Sequence, residues 1–181
     1  MPLPFASLVP LPEVDRTQGI ALIQPIVDSG IALSLVLLHA HWNVKGASFG
    51  PLHDLFGELY TLVTGLTDDV AEHIGALGGT PSAFTVIGAT ASPLVQQFIQ
   101  GSASQDGLVF CRLLAPLLQA FYGQIDAAYN VTTAAKSTAV TTTFQDAVLR
   151  FGKLGWKVIN HVPDLKLPEP GAPTPAAPTA G

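Results

Sequence analysis

The sequence predicts an all-α protein, a bundle of four long helices with a long crossover, carrying a short extra helix, between the second and the third. Two observations carry this expectation. Apolar residues recur every three or four positions through four separate stretches, which is the period of one helix face. Glycine and proline mark several ends of those stretches, and a long Thr-, Ser-, Ala- and Gly-rich link lies at 80–103. At 181 residues the chain has the size of one domain and can close a core without disulfides.

Residues 1–16, "MPLPFASLVPLPEVDR", read as a flexible proline-rich arm. They show no basic region ahead of an apolar one, so they do not read as a secretory signal. Residues 17–42 are apolar almost all round, which describes a helix surrounded by other helices. Its most apolar run, "GIALSLVLL" at 30–38, falls short of the roughly 20 residues of a membrane span, and Pro25 and Asp28 interrupt the pattern upstream. A buried core helix is expected.

Pro51 suits a helix start, and from it Leu52, Leu55, Phe56, Leu59, Leu62, Val63, Leu66, Val70, Ile74 and Leu77 keep the helical period until Gly78 and Gly79. Within the link, "SPLVQQFI" predicts a brief helix. The third long helix runs from about Gln105 to Ala135 with Pro116 inside it, where a kink is expected. The fourth runs from about Thr138 to His161, which closes the bundle at 17–162. The segment 163–181 holds six prolines among Ala, Gly and Thr, and its composition predicts a disordered tail.

The chain is 48% hydrophobic and 12% charged, about half the usual charged fraction. Apolar surface in excess of one small interior points to a homo-oligomer. A net charge of −5 with only eight scattered Lys and Arg residues argues against a partner bound through phosphates, so DNA binding is not expected. The single Cys111 excludes an intramolecular disulfide and fits a reducing compartment, and a cytoplasmic location without membrane attachment is expected.

Helix 51–77 has a second face: His53, Gly57, Thr61, Gly65, Asp68 and Glu72 succeed one another at three or four residues and lie in a row. Small residues in the middle let another helix approach, with ligand-type residues at both ends. His53 and Asp68 are separated by about 22 Å at 1.5 Å per residue, too far to share an ion within one chain. Two such helices packed antiparallel about a two-fold axis bring His53 of one against Asp68 and Glu72 of the other. Imidazoles with carboxylates and open positions suit iron or another first-row divalent ion better than a closed zinc site. The alternative, a solvated acidic face with singly hydrogen-bonded histidines, stays open on spacing alone.

The motif "AHWNVKGASFGPLHDLF", followed by "DDVAEHIGALGG", resembles the Dps or mini-ferritin family across residues 40–79. The helix order extends that resemblance to about residue 161 as a ferritin-like four-helix bundle. The resemblance implies a hollow dodecamer that oxidises Fe(II) with hydrogen peroxide or dioxygen at two-fold interfaces and stores the ferric product. His41 and His53 would come from one subunit, and Asp68 and Glu72 from its neighbour. Trp42 would lie beside the site as a packing aromatic. DNA compaction in the family usually relies on basic termini, and here the first fifteen residues and the segment after Lys166 contain no Lys or Arg.

The chain departs from the family pattern at Gly57, where a carboxylate usually stands; Glu58 points about 100° away around the helix. Either the site has decayed and leaves a structural shell, or another side chain fills the gap. His73, between Val70 and Leu77, and His161, on the stripe Phe151, Leu154 and Val158, are the candidates, both expected to be buried. A histidine-rich site of this kind resembles atypical cyanobacterial members of the family. Exchanging a carboxylate for imidazole weakens hard Fe(III) binding and lets zinc or copper compete.

Overall fold

The computed structural model describes residues 3–7, 9–84, 92–134 and 138–167. Among the described residues five helices make up the architecture: α1 (Glu13–Asn43), α2 (Phe49–Ala76), α3 (Pro93–Gly101), α4 (Gly107–Ala134) and α5 (Thr138–Asn160), with one 3₁₀ turn at Ser102–Ser104. The chain is an all-α four-helix bundle in which α1 pairs with α2 and α4 with α5, while α3 lies on α4 within the crossover. The brief helix expected at "SPLVQQFI" is α3, capped by Ser92, whose Oγ accepts from Val95 N, and opened by Pro93.

α1 begins at Glu13, four residues before the expected start, with Glu13 and Asp15 in its first turn where acidic side chains favour the helix dipole. It also runs straight through Pro25 and Asp28. The ring of Pro25 costs the carbonyl of Ala21 its helical partner, but Ala21 and Pro25 are exposed, which leaves this turn of the helix on the solvent side. Asp28 accepts a hydrogen bond from Gln24 Nε2 at 3.0 Å. The helix continues through Pro116 in α4 by the same arrangement, because Arg112, whose carbonyl loses its partner, is exposed. By length and composition α1 and Gly107–Thr133 are each apolar enough to cross a membrane; in the bundle each turns one side to the core.

The core is continuous. Leu37, Leu52, Phe56, Leu59, Val63, Phe110, Leu114, Ile125, Phe144, Phe151 and Val158 are all fully buried or nearly so. Two glycines shape the part that carries the site. Gly30 lets α1 and α2 cross closely, since a Cβ there would collide with the Thr67 side chain. Gly46 takes φ 97° in the five-residue turn between α1 and α2, a conformation that costs other residues strain.

The described arm residues are docked rather than loose. Phe5 N donates to Gly78 O and Ser7 Oγ to Ala76 O, while Arg16 Nη1 donates to Leu77 O at 2.8 Å. These donors meet carbonyls at the C-terminal end of α2, which have no partner within the helix. Residues 13–16, expected in the arm, form the first turn of α1. Of the disordered tail expected at 163–181, residues 163–167 are described and held, Leu165 N donating to Val162 O and Arg112 gripping Asp164, while the residues from 168 onward lie outside the described set.

Candidate metal centre

His41 lies in the last turn of α1 and His53 in the second turn of α2, on either side of the turn at 44–48. That turn is held from outside: Lys45 N donates to Gln105 O at 2.8 Å, and Gly107 N donates to Lys45 O at 3.3 Å. With Lys45 N engaged elsewhere, the carbonyl of His41 has no helical donor. His53 Nδ1 supplies one at 2.8 Å, and His41 Nδ1 returns the same bond to His53 O at 2.8 Å. The two rings stack at 3.8 Å between centroids with planes 24° apart. Phe49 covers the outer side of His53 at 5.2 Å.

A carbonyl only accepts, so each Nδ1 carries the proton and donates. In the neutral ring that leaves Nε2 with its lone pair, the tautomer of a metal ligand whose other nitrogen is fixed by a backbone carbonyl. Both residues are half-buried. A Cβ on Gly57 would stand 3.1 Å from Cε1 and 3.2 Å from Nδ1 of His41, so the His41 ring occupies the space a side chain at 57 would crowd.

Asp68 and Glu72 are exposed farther along the same row of α2. Among the described residues no three His, Cys, Asp or Glu side chains gather closely enough to hold an ion. Within one chain the histidine pair and the two carboxylates are therefore apart, as the length of the row requires. Thr61 and Gly65 between them are exposed, and a Cβ on Gly65 would meet nothing within 4 Å.

His73 and His161, expected to be buried, are both half-buried. Burial lowers the His73 pKa, with Asp69 pulling it back up. His161 follows α5 and lines a groove of about 360 Å³ with Asp54, Leu55, Glu58 and Lys157. That is the flank of α2 turned about 100° away from His53 and Gly57. His73 belongs to the opposite end of α2, so one chain does not bring His73 and His161 to one ion. His39 is exposed and sets its ring edge-on to Phe98 and Phe110, at 5.9 and 6.2 Å, away from the pair. Trp42 is 68% exposed beside His41. The reciprocal histidine bonds were not anticipated from the motif; two histidines twelve residues apart across a short turn between helices are the signal that points to them.

Residues 20–105 match the ferritin-like domain model. A DNA protection during starvation protein from Brevibacillus brevis is 40% identical over 62 residues, 34% of this chain and 42% of that protein. One from Mycolicibacterium smegmatis is 41% identical over 60 residues, 33% of each chain. Over these segments the chain is similar to Dps proteins. The aligned segments thus span well under two thirds of those relatives' length. The fold is nevertheless shared over most of the length: an archaeal Dps homologue from Halobacterium salinarum superposes with a TM-score of 0.72 at 18% identity, covering 94% of this chain and 93% of its own. Mycobacterium smegmatis Dps does so with 0.74 at 20% identity, covering 87% and 88%.

The donor set of this chain fits a first-row divalent ion. Imidazole nitrogen binds such ions at about 2.0–2.1 Å in the plane of its ring. Two rings stacked with nearly parallel planes cannot both aim lone pairs at one ion that close, so each imidazole suits an ion of its own. A Vibrio cholerae Dps structure, related at TM-score 0.67 and 17% identity, is described as belonging to a broad superfamily of ferritin-like diiron-carboxylate proteins.

Proposed function

We propose that this chain is a mini-ferritin subunit that oxidises Fe(II) with hydrogen peroxide or dioxygen at sites completed between two subunits and stores the ferric product in a hollow shell. The observation that carries the reading is the His41–His53 pair, whose backbone bonds leave each Nε2 free for a ligand. Iron is the substrate. His41 and His53 of one subunit meet Asp68 and Glu72 of a neighbour across the open strip at Thr61 and Gly65, in an antiparallel pairing of two α2 helices. The four residues together form the oxidation site.

The stacked rings offer one nitrogen to each of two ions, and the exposed carboxylates bridge or neutralise them. With peroxide the balance is two Fe(II) giving one electron each, the O–O bond breaking, and two protons joining the oxygens to leave two waters. His73 follows Glu72 and approaches the same end of the site from the carboxylate-bearing subunit. His161 supplements the site from the Glu58 flank. With no carboxylate at Gly57, zinc or copper competes better with iron here.

Exposed Leu35, Trp42 and Phe49 on α1 and α2 support assembly of copies through this face, and a dodecamer in the cytoplasm is the assembly we propose. The acidic net charge supports a shell that does not compact DNA. The second reading, a structural shell with a decayed site, is favoured by the glycine at 57 alone. Fe(II) oxidation measured separately under peroxide and under oxygen, with His53→Ala as control, decides between them. The site reading expects oxidation above buffer that His53→Ala removes; oxidation no faster than buffer by the parent chain leaves the structural shell.

A further inference from the structure

Between α4 and α5 lies an apolar groove of about 320 Å³, independent of the histidine pair. Tyr122, Phe151 and Trp156 are its aromatic lining, joined by Gly152, Gly155 and Ile159. Trp156 is 62% exposed, unusual for so large a side chain on a surface helix. A Cβ on Gly152 would stand 3.2 Å from the Tyr122 ring, so the glycine gives that ring room against α5.

The chain itself leads into this groove. After α5, Val162 is buried and Leu165 N donates to Val162 O, while Arg112 holds Asp164 through both carboxylate oxygens at 2.7 Å. That path sets Leu167 into the groove as one of its lining residues. The next residues read "PEPGAPTPAAPTAG", with two P-x-x-P repeats, Pro170 to Pro173 and Pro175 to Pro178. Proline fixes φ near the polyproline II value, so such a segment binds without much loss of chain freedom. Aromatic-lined apolar grooves are the surfaces that recognise it.

We propose that the groove of Tyr122 and Trp156 is the docking site for the chain's own segment 168–181, bound as a polyproline II helix that continues from Leu167. The groove offers the apolar side chains of this proline- and alanine-rich segment a surface on which to bury. At about 3.1 Å per residue its fourteen residues reach roughly 43 Å, ample to run along α5. Glu169 is its only charge, which suits an apolar surface.

The test reads Trp156 alone, in a Trp42→Phe background, by acrylamide quenching of its fluorescence. Ending the chain after Leu167 is expected to raise the quenching constant at least twofold, and Pro170→Ala with Pro173→Ala to raise it in the same direction with unchanged helix content. A synthetic peptide of residues 168–181 restores protection to the shortened chain, and Tyr122→Ala abolishes that rescue. Equal quenching in the full and shortened chains overturns the proposal. So does protection that survives shortening and grows with protein concentration, which assigns the groove to a second copy.

Discussion

The stacked histidine pair makes a quantitative prediction because both of its hydrogen bonds end on backbone carbonyls. His41→Ala removes the bond to His53 O and the ring stack, yet leaves His53 Nδ1 free to donate to the carbonyl of residue 41. Each lost neutral hydrogen bond costs about 0.5–1.5 kcal/mol net, and the contact of two rings adds about 0.5–1.5 kcal/mol by analogy with aromatic pairs. Each single variant should therefore lose about 1–3 kcal/mol. The double variant loses two bonds but only one stack, so the cycle should leave a coupling of about 0.5–1.5 kcal/mol. The assay is urea unfolding of chelator-treated protein at one fixed concentration, since assembly makes stability concentration-dependent. Nitrogen-15 spectra of the same samples should show both rings as the Nδ1–H tautomer at pH 8. Zero coupling together with an Nε2–H ring would refute the mutual clasp, and with it the argument that Nε2 is reserved for metal.

Gly30→Ala should destabilise by about 1–2 kcal/mol, the overpacking cost against Thr67 exceeding the helix-propensity gain of alanine, and Gly30→Ala with Thr67→Ala should recover most of it in the same urea assay. Phe56→Ala, at a fully buried position, should cost about 3–5 kcal/mol, read as a lowered urea midpoint. Burial, with a smaller push from Asp106, raises the Cys111 thiol to about 12. The folded thiol should thus resist Ellman's reagent at pH 8 until denaturant is added. The unfolded thiol ionises from about 9, so this group's stabilising effect is full below pH 9 and is lost between pH 9 and 12. Cys111→Ala should flatten that alkaline limb.

Helix order and extent were largely legible in the chain, because a repeated three-and-four spacing of apolar residues leaves one buried face whatever the neighbours are. The start of α1 was placed late because residues 1–16 read as a proline-rich arm, although Glu13 and Asp15 already stand in the first helical turn. Pro25 and Asp28 look like breaks, yet an exposed Ala21 and a Gln24 partner ease them, and sequence spacing does not show which side of the helix meets water. Likewise the arm reads as loose from its prolines, while Phe5, Ser7 and Arg16 find the free carbonyls at the end of α2 only once that end is brought beside them.

The same division holds at the site. The sequence by itself determined that His53, Asp68 and Glu72 share one row of α2 and cannot share an ion within a chain, since rise per residue is a property of any α-helix. Only the tertiary structure decided that His41 and His53 lock each other through backbone carbonyls, and that His161 faces the Asp54 and Glu58 flank. The histidine clasp depends on the left-handed turn at Gly46 and its attachment to the start of α4, which set two helix ends in register, and the place of His161 depends on the packing of α5 against α2. Contacts across a turn follow from where the helices are held, and that is fixed by packing far from the residues that meet.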